Sequence, residues 1–387
     1  MPLELHRKNK GKISIKPKVE VRNMDDMTKV YTPGVAEVSN AIARNKNDVY
    51  EYTIKSNAVA VVSDGSAVLG LGNIGPEAAL PVMEGKALIF KQFADIDAFP
   101  ICLSTQDPEE IISTVKNIAP VFGGINLEDI AAPKCFYVEE KLQNLGIPVM
   151  HDDQHGTAIV VSAALMNAAK VVGKNLSELT VAISGSGAAG TAIAKMLLCD
   201  GFNKCTAVKD VIVCDSKGIL HKDRTDLNDY KQQLVKITNR QNRKGTLSDA
   251  MKGTNVFIGV SKGNIVTKEM IRSMSAEPIV FAMANPTPEI SPIDAIDAGV
   301  AIVGTGRSDL PNQINNSLAF PGVFRGALDA KAARITSQMK LAAAHALARC
   351  VNPTKDKILP NIFDKGIVEN IAEAVKKAAI EGGVVRE

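Results

Sequence analysis

The stretch "TVAISGSGAAGTAIAKMLL" (residues 180–198) decides the fold class of this chain. The run "TVAIS" predicts a buried strand, and "GSGAAG" (185–190) has the spacing G-x-G-x-x-G before an Ala-rich helical pattern. Asp215 follows 25 residues after Gly190, at the end of the strand-like run "VIVC". This arrangement is typical of a dinucleotide-binding βαβ unit, in which the glycines admit a pyrophosphate at a helix N-terminus and the acid binds a ribose hydroxyl.

The coenzyme predicted from this unit is a nicotinamide dinucleotide, either NAD or NADP. Asp215 favours NAD through a ribose contact, but nearby cations could bind the 2′-phosphate of NADP, so both coenzymes stay open. Those cations are Lys217, Lys222, Arg224 and Lys231. The residues predicted to bind the coenzyme are Gly185, Ser186, Gly187, Ala188, Ala189, Gly190 and Asp215.

The same glycine spacing occurs earlier in the chain, in "GLGNIG" (70–75). Asp95 and Asp97 follow at a suitable distance, but they precede a predicted strand rather than end one, and Pro76 directly follows the last glycine. We therefore expect a tight loop near the substrate here, and not a second dinucleotide site.

Short β-branched runs alternate with helical patterns on both sides of a long apolar helix predicted at 156–174. Such alternation predicts parallel sheets with helical crossovers, so the expected fold class is α/β with two domains. The predicted limits are 1–155 for an N-terminal α/β domain and 156–323 for a doubly wound dinucleotide-binding domain of Rossmann type. A C-terminal helical segment, 324–387, is expected to pack on the preceding domains.

Composition argues against several classes of protein. A net charge of +3, the absence of Trp and an aromatic content of 4% give no reason to expect a nucleic-acid or membrane partner. The first 18 residues have no apolar core, so they do not resemble a signal peptide. Six cysteines are scattered without a C-x-x-C pair, which predicts buried thiols in a reducing compartment, with the cytoplasm as the default.

Two acidic pairs follow predicted strands: Glu128–Asp129 comes after "GGINL" (123–127), and Asp152–Asp153 comes soon after "IPVM" (147–150). The carboxyl ends of parallel strands meet at one edge of a sheet, so we expect the two pairs to be neighbours in space. Carboxylates that converge repel one another unless a cation lies between them, and oxygen ligands suit Mg²⁺ or Mn²⁺. A bland alternative is that these acids serve only as turn and helix-cap residues.

The segment "HDDQH" (151–155) also resembles the zinc-binding pattern H-E-x-x-H. Two histidines four apart share a face only on a helix, yet His151 follows a strand and the helix is expected to begin near Gly156. Zinc is therefore disfavoured, and His151 and His155 are expected to support the site without binding metal.

Other candidate residues are ambiguous when taken singly. Lys86 lies in a mostly apolar helical stretch, where burial could lower its pKa and make it a base, or where it could simply extend to the surface. Tyr31 precedes a Pro-Gly turn and has packing as its ordinary role. The asparagines Asn285, Asn315 and Asn316 follow strands of the coenzyme domain, and together they would line the edge that holds the nicotinamide.

Taken together, these motifs closely resemble the malic enzyme family, particularly its short microbial form. The resemblance covers the chain from about residue 20 to the C-terminus and rests on seven motifs in family order: "YTPGVA", "VSDGSAVLGLGNIGPEAALPVMEGKALIFKQF", "NLEDI", "HDDQHGTA", "ISGSGAAG", "ANPTPE" and "INNSLAFPG". It implies oxidative decarboxylation of (S)-malate to pyruvate and CO₂ with reduction of NAD(P)⁺, dependent on Mg²⁺ or Mn²⁺, and decarboxylation of oxaloacetate.

The resemblance also implies roles for single residues. Position by position, Glu128, Asp129 and Asp153 match metal ligands, Lys86 matches the general base and Tyr31 the general acid. Asp152 matches an acid behind the ligands. The asparagines Asn285 and Asn316 match residues that hold the substrate, with Asn315 beside them.

One departure from the family pattern concerns the substrate carboxylate. Large eukaryotic members have an arginine where this chain has Ala67, so malate must be anchored by asparagines, backbone amides or a residue of a partner subunit. Similarity to the short form implies a homodimer. Two other hypotheses are a metal-independent, lysine-dependent amino-acid dehydrogenase and a catalytically silent nucleotide-binding regulator.

Overall fold

The computed structural model describes residues 2–307 and 309–386. Its N-terminal segment consists of short helices that bury none of their residues. Asn23 caps one of them by accepting a hydrogen bond from the Asp26 amide at 2.9 Å. The helices are α1 (Pro2–Asn9), α2 (Met24–Val30), α3 (Val35–Arg44) and α4 (Val49–Tyr52).

A four-stranded parallel sheet follows this segment. Its strands are β1 (Ala58–Ser63), β2 (Asp97–Cys102), β3 (Gly124–Leu127) and β4 (Val149–His151), in the order β2-β1-β3-β4. Leu127 pairs with Val62 on one side and with His151 on the other, so three strands end at one edge. The connecting helices are α5 (Pro76–Ala94), α6 (Pro108–Ile118) and α7 (Lys134–Leu142).

A long apolar helix, α8 (Asp152–Val171), leads to a six-stranded sheet in the order β10-β9-β8-β5-β6-β7. Only the pairing of β6 with β7 is antiparallel. The strands are β5 (Thr180–Ser184), β6 (Asp210–Asp215), β7 (Gly218–Ile219), β8 (Val256–Gly259), β9 (Ile279–Ala282) and β10 (Ile302–Thr305). The helices are α9 (Ala188–Leu197), α10 (Asp229–Ile237), α11 (Leu247–Met251), α12 (Lys268–Arg272) and α13 (Pro292–Asp297).

Three C-terminal helices, α14 (Phe320–Asp329), α15 (Ser337–Arg349) and α16 (Ile367–Glu381), complete the chain. The rings of Phe320 and Phe324 meet the Phe90 ring of α5 edge-on, with centroids 4.7 and 5.4 Å away. These aromatic contacts tie the C-terminal helices to the first sheet and fix the position of α5. The predicted two-domain α/β fold with a parallel sheet of Rossmann type is confirmed, while the limits 1–155, 156–323 and 324–387 stay predictions.

Two sequence expectations are wrong in detail. The helix expected near Gly156 begins at Asp152, directly after β4, because the strand ends at His151 and the acidic first turn suits a helix N-terminus. The cysteines are not all free thiols either, since Cys199 is disulfide-bonded to Cys205 across the turn after α9. Within the two described ranges, no helix has the length and apolar character needed to cross a membrane.

Candidate active site

Lys86 is buried in the middle of α5 and points at a group of acids. Its Nζ lies 3.1 Å from Oε1 of Glu128, forms an ion pair with Asp152, and stands 4.2 Å above the centre of the Phe320 ring. Burial alone would lower the pKa of Lys86, but the neighbouring carboxylates outweigh burial and raise that pKa above its ordinary value. Of the two possibilities left open by the sequence, the buried one holds, but burial by itself does not give Lys86 the lowered pKa expected of a base.

The predicted metal ligands converge at the shared edge of β1, β3 and β4. Glu128, Asp129 and Asp153 each offer an oxygen, and these atoms lie within 4.8 Å of one another. The Asp129 amide donates to Oδ2 of Asp153 at 2.8 Å, and Asn126 donates to Glu128 at 2.9 Å. Asp129 adopts a left-handed backbone conformation (φ 53°), which aspartate tolerates better than most residues.

Two of these carboxyl groups have raised pKa values. Burial raises the pKa of Glu128 to about 7 and that of Asp153 to about 6. The charge of Asp153 adds to the shift at Glu128 and the charge of Asp152 adds to the shift at Asp153, while Lys86 opposes both. Three convergent carboxylates, two of them buried, fit a hard divalent cation. No histidine belongs to this group, the only one among the described residues whose ligand atoms lie close enough together to hold a metal ion.

Asp152 lies behind the proposed ligands and is fully buried against Lys86. Burial raises its pKa to about 7, because the nearby Lys86 does not compensate for desolvation and for the charge of Glu128. A Cβ at Gly156, one turn along α8, would overlap Oδ1 of Asp152 and would lie 3.2 Å from Cβ of Asn316. The glycine of "HDDQHGTA" therefore lets the acid and the asparagine loop approach the helix closely.

Neither histidine belongs to the cluster of convergent acids. His151 is fully buried, and its Nε2 is 3.5 Å from Oδ2 of Asp153. His155 lies on the other side of α8 and contacts Glu139 at 2.9 Å. This placement agrees with a supporting role for both.

The asparagines of the coenzyme domain face the lysine and the acids. Asn285, Asn315 and Asn316 line the same cavity, of about 310 Å³, as Lys86 and Glu128. The loop of "GLGNIG" also reaches this cavity: a Cβ at its Gly70 would overlap the backbone oxygen of Asn285. The first glycine motif is thus a tight loop against the second domain, and the cavity lies between the two sheets.

Tyr31 lies outside this cavity. It lies at the C-terminal end of α2, with 66% of its surface exposed, and does not line the cavity of Lys86. Ala67, at the position of the missing arginine, does line it.

The second glycine motif forms one wall of a larger crevice, of about 740 Å³, at the ends of β5 and β6. Gly185 has a positive φ of 117°, and a Cβ at Gly190 would overlap the Gly185 carbonyl. Both glycines are therefore required for the close strand-to-helix turn. Of the other predicted coenzyme residues, Ser186 and Gly187 line the crevice, Ala188 begins α9, and Ala189 lines the cavity of Lys86.

Asp215 lies in this crevice with its charge already balanced. Arg224 donates to it at 2.8 and 3.1 Å, and Lys231 at 2.7 Å. These contacts outweigh the effect of burial and lower the pKa of Asp215 to about 2. Lys217 pairs with Asp226, and no ion pair of Lys222 is found among the described residues.

Sequence reasoning missed three contributors to the site. Phe320 stacks on Lys86, Asn126 orients Glu128, and Gly156 makes room for Asp152. A polar Asn126 within a strand predicted to be buried was a usable signal, whereas the contact between Phe320 and Lys86 joins residues more than 200 positions apart.

Two family models match nearly the whole chain. The malic enzyme N-terminal domain matches residues 9–143, and the malic enzyme NAD-binding domain matches residues 154–380. The chain belongs to the malic enzyme family. It is 54% identical to the bifunctional malic/malolactic enzyme of Bacillus subtilis over 389 residues, covering 99% of this chain and 93% of that protein.

Other malic enzymes agree with this assignment. The NAD-dependent malic enzyme of Geobacillus stearothermophilus is 54% identical, over 97% of this chain and 78% of that protein. The structure of the NAD-dependent malic enzyme of Thermotoga maritima matches with a TM-score of 0.93 and 52% identity, over 97% and 98% of the two chains. Malic enzymes named NADP-dependent match at 46% and 43% identity, so the family members similar to this chain include both coenzyme types.

Proposed function

We propose that this protein catalyses oxidative decarboxylation of (S)-malate to pyruvate and CO₂, with reduction of NAD(P)⁺, and that it also decarboxylates oxaloacetate. The observation that carries the proposal is one cavity shared by both domains. Lys86 and the convergent acids form one side of it, and Asn285 and Asn316 of the coenzyme domain form the other. A hydroxy acid held there would lie between a base and the nicotinamide end of the coenzyme crevice.

We further propose that the reaction depends on Mg²⁺ or Mn²⁺ held by Glu128, Asp129 and Asp153. When bound, such an ion would offset the charge of these carboxylates, lower the pKa of Lys86 and stabilise negative charge that develops on the C2 oxygen of the substrate. The chemistry of the three donors supports this choice, because carboxylate oxygens are preferred ligands of both ions.

The residues of the chain divide the proton transfers between them. Lys86 accepts the proton of the C2 hydroxyl while the C2 hydrogen leaves as hydride for the nicotinamide. Asp152, bound to Lys86, orients the amine toward the cavity. Asn285 and Asn316 hold the substrate carboxylates from the opposite wall. Asn315 is a weaker candidate for substrate contact, because its side-chain oxygen accepts a hydrogen bond from the Ser317 amide at 2.9 Å.

Loss of CO₂ then leaves C3 of the product in need of a proton, for which we propose Tyr31 as donor. Because Tyr31 lies outside the cavity of its own chain, we infer that a second copy of the chain supplies it and that the active form is a homodimer. The N-terminal helices and the segments between them have a suitable surface for this contact. Their exposed apolar residues include Leu5, Val19, Met24, Val30 and Val38.

Mixed dimers test this inference directly. Lys86→Ala and Tyr31→Phe homodimers should each be nearly inactive. After unfolding and joint refolding, the mixture should regain about a quarter of wild-type activity, since half of the dimers would have one intact site. A mixture as inactive as either parent would show that Tyr31 and Lys86 act within one chain.

For the coenzyme, we infer a preference for NAD. Arg224 and Lys231 are already engaged by Asp215, so they are poorly placed to receive a 2′-phosphate. The cytoplasmic location stays a prediction, and the bond between Cys199 and Cys205 weakens one of its grounds.

The experiment that tests the proposed function measures absorbance at 340 nm with malate and Mn²⁺, in parallel with NAD⁺ and NADP⁺. We expect turnover that EDTA abolishes and added Mn²⁺ restores. Activity that resists EDTA and uses an amino acid would instead favour the lysine-dependent amino-acid dehydrogenase. No turnover with malate and either coenzyme would favour the silent regulator.

A further inference from the structure

A second polar cavity, of about 290 Å³, lies behind the active site between α7, α8, α9 and α15. Its volume is near the lower limit of small-molecule sites. Gln154 and His155 of α8, Lys195 of α9 and Lys340 of α15 line it, together with Glu139 of α7. None of the residues proposed above for metal, malate or coenzyme binding lines this cavity.

The positive charges of this cavity are not paired. Among the described residues, neither Lys195 nor Lys340 has an ion-pair partner within 4.0 Å or a side-chain hydrogen bond. Burial lowers the pKa of Lys340, and repulsion by Lys195 adds to the shift, although Glu139 partly opposes it. Two ammonium groups that repel one another at a half-enclosed cavity would be stabilised by a bound anion.

The nearest acid is already committed to other partners. Glu139 accepts from the His151 amide at 3.0 Å and from Gln154 at 3.1 Å, and its Oε2 contacts His155 Nε2 at 2.9 Å. The remaining acids of the lining, Glu140 and Asp200, are exposed at the rim. Glu139 therefore acts on Lys340 only from a distance, and neither lysine has a carboxylate within ion-pair distance among the described residues.

We propose that this cavity is a binding site for a compact organic dianion, of the phosphate monoester or dicarboxylate class, held by Lys195 and Lys340. The amides of Gln143, Gln154 and Gln233, which also line the cavity, suit the oxygens of such a ligand. The carboxylate and phosphate groups share the chemistry that two ammonium groups recognise, and the two classes are separated below by their probes.

The cavity lies beside both the proposed metal site and the glycine loop of the coenzyme crevice. Gln154 directly follows the proposed metal ligand Asp153, and Thr191 of the lining lies 3.4 Å from the carbonyl oxygen of Ser186 in the glycine loop. The rings of Phe136 and Tyr230, 4.8 Å apart, line both this cavity and the coenzyme crevice. An occupant would therefore contact the helices that carry the metal ligand and the coenzyme loop.

Isothermal titration calorimetry of the full chain tests the proposal, with inorganic phosphate and succinate as separate probes. Excess reduced coenzyme keeps phosphate out of the coenzyme crevice, and EDTA keeps succinate from binding through a metal ion. We expect saturable binding of at least one probe. Lys340→Met and Lys195→Met should each weaken that binding by about tenfold, the usual worth of one charged hydrogen bond.

The matched control is Lys252→Met, which removes an exposed lysine of the coenzyme domain and should leave the affinity unchanged. Saturation by phosphate alone would assign the site to phosphate monoesters, and saturation by succinate alone to dicarboxylates. The proposal is overturned if neither probe binds saturably, or if Lys252→Met weakens binding as much as the two cavity variants. It is also overturned if affinity stays the same in both cavity variants.

Discussion

Two acidic groups lie at the carboxyl ends of parallel strands in this protein, one in each sheet, and their electrostatics are opposite. In the first sheet, Lys86 pairs with Glu128 and Asp152 and acts on Asp153 from a greater distance, and the pKa values of these acids are raised to about 7, 7 and 6. In the second sheet, Asp215 alone has two cationic partners, and its pKa falls to about 2. The difference lies in the ratio of acids to cations.

This comparison shows what each group still needs. The Asp215 group is balanced by the protein itself, so it can bind a neutral ribose but has little capacity left for a further charge. The three carboxyl groups beside Lys86 have raised pKa values and little access to water, and a bound cation would favour their ionised forms. The predictions below test this contrast, beginning with the largest expected effect.

Replacing Lys86 with alanine should nearly abolish malate oxidation, because it removes the proposed general base. We expect kcat to fall by about 10²–10⁴-fold, the usual contribution of a general base, while coenzyme affinity measured by fluorescence titration stays unchanged. The matched control is Lys91→Ala, an exposed lysine of the same helix that pairs with Asp95 and Asp97. Substantial residual activity in Lys86→Ala would show that Lys86 is not the general base.

Gly156→Ala should be the next most harmful change. The added Cβ would overlap Asp152, so the acid must move away from Lys86, and we expect kcat to drop by about 10–100-fold through misplacement of the base. Gly85→Ala is the control, since its Cβ would meet nothing closer than the flexible end of Lys12 at 3.6 Å. Equal steady-state kinetics for the two variants would mean that Asp152 does not position Lys86.

The ion pairs of Asp215 predict that replacing this acid changes the coenzyme preference. Asp215→Asn removes the charge that engages Lys231 and part of Arg224. Arg224 stays paired with Asp226, so Lys231 is the cation released for a 2′-phosphate. We expect the ratio of kcat/KM for NADP⁺ over NAD⁺ to rise about tenfold, through loss with NAD⁺ and gain with NADP⁺. An unchanged ratio would show that Asp215 does not select the coenzyme.

The smallest expected effect is on the free energy of unfolding. An acid with a raised pKa in the folded chain stabilises that chain at low pH, and this contribution is lost as pH rises through the raised value. For Glu128 the window runs from its ordinary value of 4.5 to about 7. Without metal, Glu128→Gln should therefore become more stable relative to the wild type as pH rises from 5 to 8.

Chemical denaturation at several pH values measures this difference. The comparison with the variant is needed because the lowered pKa of buried His151, about 4, makes the wild type gain stability over part of the same range. Mn²⁺ should cancel the advantage of the variant at pH 8. A stability difference that does not change with pH would show that the charge of Glu128 is already balanced.

Local patterns were sufficient to predict the fold and the convergence of the acids. The "GSGAAG" motif, with its strand and helix, predicted the dinucleotide-binding unit, because the spacing and the chain reversal are properties of one short segment. The acids after β3 and β4 were predicted to be neighbours because parallel strands end at one edge, and Asp129 and Asp153 do lie together. Features that depend on one short segment, or on where parallel strands end, could therefore be predicted from the sequence.

The missed features depend on contacts between distant segments. The raised pKa of Lys86 requires knowledge that Glu128 and Asp152 both reach its Nζ, and the pattern of α5 alone contains no such information. Tyr31 matched its family position, yet the single chain leaves it exposed, because its partner surface is not part of the same chain in our proposal. The Cys199–Cys205 bond closes a short turn that the spacing of the cysteines did not suggest.

Binding of Mn²⁺, measured by isothermal titration calorimetry near pH 7, tests the central claim most directly. We predict one ion per chain with release of protons, detected as a dependence of the heat on the buffer, because acids with raised pKa values must ionise to bind it. Asp153→Asn should abolish this binding, and Asp97→Asn, at an acid outside the cluster, should not. Saturable binding that is unchanged in Asp153→Asn, or no binding to the wild type, would contradict the claim that a cation binds among the acids beside Lys86.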